Sequence, residues 1–138
     1  MSSLIYDSAL DDQARGAIDF DTDAFKVMLC TASYAPNKAT HTRRSDVSGE
    51  VVGAGYTAGG EAAVVTVTKD TINHRIDIAL AGANWPTSTI NARYAVYFKD
   101  RGGLAALDEL VAVIDFGSNI ISTAGLFSLT GSTLRIQN

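Results

Sequence analysis

Apolar and polar residues alternate with a period of two along most of this chain, and follow a longer period only at its start. Tyr6, Leu10 and Ala14, with Ala9 and Ala17, recur at three- and four-residue intervals, while Asp11 and Asp12 fall on the other side. The spacing predicts an amphipathic helix over SLIYDSALDDQARG, stopped by Gly16. After DFDTD the period changes: Phe25, Val27 and Leu29 point one way and Lys26, Met28 and Cys30 the other. VVTVTKD and RIDIAL continue the alternation, and the four residues TINH between them suit an antiparallel hairpin. RYAVYFK, LVAVIDF, NIIST, LFSLT and LRIQ follow at short spacing, with NWPTS, DRGG, FGSN and TAG read as the turns between strands. Eight or so short strands with no second long helix predict an all-β chain, an antiparallel sandwich or barrel.

Composition narrows the class. At 138 residues, with 46% hydrophobic and 19% charged residues, the chain has the size and content of one folded domain spanning 1–138. Cys30 is its only cysteine and has no intrachain disulfide partner. The opening MSSLIYDSALDD lacks the basic and apolar regions of a signal peptide, so synthesis in a cytoplasm is expected. No apolar run approaches a membrane span. A net charge of −4 argues against a general nucleic-acid binder.

No chemistry-bearing set emerges. The two histidines, His41 and His74, both fall in expected turns; no G-x-S-x-G elbow occurs; and Cys30 sits inside a strand pattern. The glycines of GAGYTAGG lead into a strand rather than a helix, and no GK followed by Ser or Thr is present, so neither phosphate-binding fingerprint fits. The expectation is a non-enzyme without metal or cofactor. What stands out instead is the stretch at about 33–60, long for a connection inside a compact domain. It carries tyrosines and paired arginines of the kind that anchor interfaces, with two acids near enough to neutralise the arginines. Tyr34, His41, Arg43, Arg44, Asp46, Glu50 and Tyr56 are therefore the candidate protein-contact residues. Read as a mobile, glycine-rich arm, this stretch would keep both arginines exposed and of little weight in folding.

The ordered series SALDDQARGAIDFDTDAFKVMLCTASYAPNKATHTRRSDVSGEVVGAGYTAGG, then DIALAGANWPTSTINARYAVYFKDRGG, ELVAVIDFG and LRIQN, resembles head-decoration (cement) proteins of tailed bacteriophages, those of Bordetella podoviruses among them. The resemblance covers nearly the whole chain. It implies a jelly-roll β-sandwich on the outer surface of the phage head, pairing with a second copy at two-fold positions and tying neighbouring major capsid subunits together non-covalently against the pressure of packaged DNA. It brings no catalytic residue, no direct nucleic-acid contact and no membrane. A tail or neck component of the virion is the alternative within the same class, and a carbohydrate-binding module built on Trp85 with Tyr94 or Tyr97 the alternative outside it.

Overall fold

The computed structural model describes residues 2–138. It is an all-β, antiparallel sandwich with one short helix near the N-terminus. The larger sheet has five strands in the order β1 (Ser2–Ile5), β7 (Leu110–Leu129), β6 (Ala83–Lys99), β2 (Phe25–Cys30) and β3 (Glu61–Ala62). The smaller has three, β4 (Val65–Asp70), β5 (Arg75–Leu80) and β8 (Ser132–Gln137). The helix α1 (Asp7–Ala14) follows β1 directly.

One long ribbon joins the two sheets. β5 pairs with β8 and β6 with β7, and the register carries through the bend: Leu80 lies opposite Ser132 on one side of it and Ala83 opposite Leu129 on the other. No residue is gained or lost on either strand. The bend is possible because Gly82 and Gly131 face backbone of the opposing chain. A Cβ on Gly82 would run into the Leu129 carbonyl, and one on Gly131 would lie 2.7 Å from the Leu80 carbonyl oxygen. Between the sheets lies the main core, where Trp85, Phe127, Leu29, Tyr97, Ile90 and Leu80 are nearly or fully buried. A second cluster, including Met28, Cys30, Val96 and Phe98, covers the outer face of the larger sheet. Residues 27–30 of β2 and 95–98 of β6 are therefore buried on both faces, although their alternation alone suggests only two unlike sides.

Several expectations are corrected. The first turn of the expected helix is a strand: Ser2–Ile5 pairs with Asp115–Ala112 of β7, and Ile5 packs on the main core while Leu4 packs on the outer cluster. A free sheet edge offers these residues more than a helical turn does. The helix also turns a different side inward. Ala9 and Asp12 are buried and Leu10 is 55% exposed, because Asp12 is drawn in by a cation from elsewhere in the chain. Gly16, at φ +82°, does end the helix, and Ala17 N–H reaches back to the Asp12 carbonyl. NWPTS is no turn but part of β6, where Pro86 and Thr87 form a bulge between Trp85, opposite Phe127, and Ser88, opposite Gly125. FGSN and TAG likewise lie inside β7 as irregularities of its pairing with β6, so LVAVIDF, NIIST and LFSLT are one strand. Each punctuation residue was read locally as an ending, but a continuous partner strand turned it into a kink.

Candidate functional site

The segment 31–60 does not hang free. Thr31 N–H donates to the Gly49 carbonyl and Val51 N–H to the Leu29 carbonyl, so residues 49–51 lie along the end of β2. Its first half crosses the outer face of the larger sheet, where Tyr34 is 2% exposed. Its second half wraps to the inner side, placing Val51 and Tyr56 against the main core. Thr89 N–H of β6 donates to the Ala54 carbonyl, and Gly53 and Gly55 approach the β6 backbone too closely for a side chain. Close approach, not mobility, is what these glycines supply.

Each of the seven candidate contact residues has a partner within the chain. Tyr34 and Tyr6 share a hydrogen bond of 2.7 Å between hydroxyls, and Tyr34 Oη lies 3.0 Å from His41 Nδ1, with the His41 ring stacked on Tyr34. Burial raises the pKa of both tyrosines. Asp46 accepts the backbone N–H groups of Thr42 and Arg43, which hold its carboxyl below the usual range. Tyr56 donates its hydroxyl to Glu50 at 2.7 Å while accepting the Leu29 N–H, and Glu50 also accepts the Gly59 N–H.

The arginines are the clearest correction. Arg43 Nη1 lies 3.1 Å from Asp12, and Arg44 Nε lies 2.8 Å from Asp108, whose side chain is fully buried. The Arg44 guanidinium also sits over the Phe98 ring, 5.1 Å from its centroid. Beside them Arg101 forms a two-pronged pair with Glu109, Nε to Oε1 and Nη2 to Oε2, both at 2.6 Å. Burial alone would raise the Glu109 carboxyl, but Arg101 pulls it below its ordinary value. At Asp12 the balance goes the other way, and burial outweighs Arg43 to leave its pKa raised. Three guanidinium groups thus meet three buried carboxylates where segment 42–46, α1 and the β6–β7 connection converge.

Asp12, Asp108, Glu109, Arg101 and Tyr6 complete this layer, and the sequence reading passed over them. One signal was present: LDELV sets two acids directly before an apolar strand, where burial demands a cation. Nothing in the sequence indicates which arginine answers. Chemically the arrangement is a lock. Each carboxylate is paired with a guanidinium of the same chain, and no group of three or more His, Cys, Asp or Glu side chains able to hold a metal occurs among the described residues. Trp85 and Tyr97, at 1% and 0% exposure, offer no platform for a sugar. No helix among the described residues is long and apolar enough to cross a membrane. No protein-family model, curated protein or solved structure matches the chain.

Proposed function

We propose that this chain is a structural protein of a tailed-phage virion that binds the outside of the head and cements neighbouring major capsid subunits without covalent links. The reading rests on the ordered resemblance along the sequence. The observation in the structure that supports it is that segment 31–60 ties its seven candidate side chains into the fold, making the sandwich a rigid block that could bridge neighbours.

Such a protein works through contacts repeated over a lattice. Packaged DNA pushes the shell outward, and a rigid block bridging two capsomers adds an interface that must break before they part. Rigidity matters because an ordered block loses little conformational freedom on attachment. Preference for one form of the shell would stabilise that form in proportion to the difference in affinity. Two copies meeting at a two-fold position would double the contact.

Electron microscopy of virions, compared with heads assembled without this chain, tests the reading. The expected difference is density on the outer head surface at or near two-fold positions, with earlier DNA loss on heating when it is missing. Density confined to the tail or neck, in rings, would overturn it.

A further inference from the structure

One hollow on the outer face of the five-stranded sheet is bounded by cations whose donors the fold leaves unspent. It encloses about 260 Å³ beside the ion-pair layer, among Arg44, the turn at Ala58 and Gly59, and the start of the β6–β7 connection. Lys26 of β2 and Phe98 of β6, opposite each other in register, both line it. Glycine keeps it open, since a Cβ at Gly59, Gly102 or Gly103 would meet nothing within 4 Å.

Arg44 is the exception among the arginines of this layer. Arg43 spends Nη1 on Asp12 and the Thr42 carbonyl, and Arg101 spends Nη2 on Glu109. Arg44 uses only Nε, on Asp108, and lays its guanidinium over Phe98; its two Nη groups have no hydrogen-bond partner among the described residues, although the side chain is only 22% exposed. Lys26 Nζ is likewise without a hydrogen bond among the described residues and lies 3.5 Å from Asp100 Oδ2, while the other Asp100 oxygen accepts the Gly102 N–H. The hollow therefore holds more cationic donors than acceptors. Half-buried donors without acceptors are costly, and an acceptor arriving from outside recovers that cost.

We infer that this hollow binds a single carboxylate, held by the Nη1–Nη2 edge of Arg44 and by Lys26. The end of a guanidinium matches the two oxygens of a carboxylate, which a lone carbonyl does not offer. Charge selects the same ligand. Lys26 and Arg44 are balanced by Asp100 and by Asp108 behind Arg44, so a singly charged group with strong acceptors suits the site, whereas a doubly charged phosphate would stand beside Asp100 without compensation. Two sources share this chemistry, a small free acid and an aspartate or glutamate side chain presented by another chain. Leu104, adjacent to Gly103 and 73% exposed, offers the second an apolar contact that the first does not need. The inference does not depend on the shell reading.

The test titrates the full chain at neutral pH and low ionic strength with acetate, with glutamate capped as its N-acetyl methylamide, with acetamide and with inorganic phosphate. Binding is followed through the amide resonances of Gly59, Gly102 and Gly103 and the Nε–H of Arg44. Both carboxylates should saturate with dissociation constants of about 1–30 mM, phosphate should bind more weakly, and acetamide should shift nothing. Lys26→Met, which keeps the apolar stem, and Arg44→Lys, which keeps a cation beside Asp108 but removes the fork, should each weaken binding about fivefold or more. Capped glutamate binding more tightly than acetate assigns the carboxylate to another chain, and acetate binding as tightly or more so assigns it to a small free acid; either result sustains the site. The absence of a saturable shift, acetamide acting like acetate, phosphate binding more tightly than both carboxylates, or wild-type affinity in Lys26→Met would overturn it. Lys26 lies outside the buried ion pairs, so its variant decides the matter even where Arg44→Lys fails to fold.

Discussion

The two faces of the five-stranded sheet are both buried, but by different chemistry. Against the smaller sheet the inner face is apolar throughout its centre, with Trp85 edge-on to Phe127 and close to Tyr56, and its stability comes from area removed from water. The outer face has a small apolar floor, Met28, Cys30, Val96 and Phe98, roofed by hydroxyls and ion pairs from the chain's longest irregular segment. An apolar layer tolerates changes of pH and salt. A layer of buried charges depends on every partner being present, since a carboxylate left alone there has neither water nor cation.

The largest effect should come from emptying the inner layer. Trp85→Ala should lower the unfolding free energy by about 3–5 kcal/mol in denaturant titration. Trp85→Phe should lie much nearer wild type, because the indole Nε1 is the one buried side-chain polar atom with no partner among the described residues, and phenylalanine removes it. Equal losses in the two variants would mean that the indole's shape, rather than its apolar area, holds this layer.

Next comes the outer layer. Arg44→Ala strips the cation from Asp108 and should lower stability by about 3 kcal/mol, against the negligible change expected of an exposed arm. A thermal midpoint unchanged from wild type would show that water reaches Asp108 and that this roof is loose.

Acid should separate the two faces without mutation. Glu109 and Asp46 are held below their ordinary values of 4.5 and 3.8, so their contribution is complete above those values and is lost as pH falls through the lower folded-state values. Asp12, raised by burial, runs the opposite way and gains from protonation. The net expectation is a denaturant midpoint that drops below about pH 4.5 and a Glu109→Gln variant, less stable at neutral pH, with a flatter profile. Trp85→Phe should keep the wild-type slope.

A smaller effect is expected where the two layers meet. Tyr56→Phe removes the donor to Glu50 and should cost about 1–2 kcal/mol. The smallest concerns Cys30, on the outer face, whose thiol burial pushes up to about 12. Iodoacetamide at pH 8 should leave it unmodified in the folded chain and label it only on unfolding. Rapid labelling under native conditions would mean that the outer roof opens readily.

How much of this was legible in the sequence differs between the layers for a physical reason. The inner strands announce themselves through alternation, because a residue's side of a strand follows from its position in the chain. The outer roof does not, since Arg43 and Asp12 are distant in sequence and meet only through the tertiary fold. The same distinction explains the misplaced turns. Pro86, Gly117 and Ala124 break local regularity in any context, but whether a break ends a strand or kinks it depends on whether a partner strand continues past it.

The sequence by itself determined the all-β class, the hairpin around TINH, the helix stop at Gly16 and the absence of known nucleotide-binding fingerprints, all of which depend on neighbours within a few residues. Tertiary structure alone decided that segment 31–60 is a roof rather than an arm and that its arginines answer buried acids. Those outcomes depend on which distant groups are brought within a few ångströms. Burial then raises the cost of leaving any of them unpaired, and that cost selects the partners.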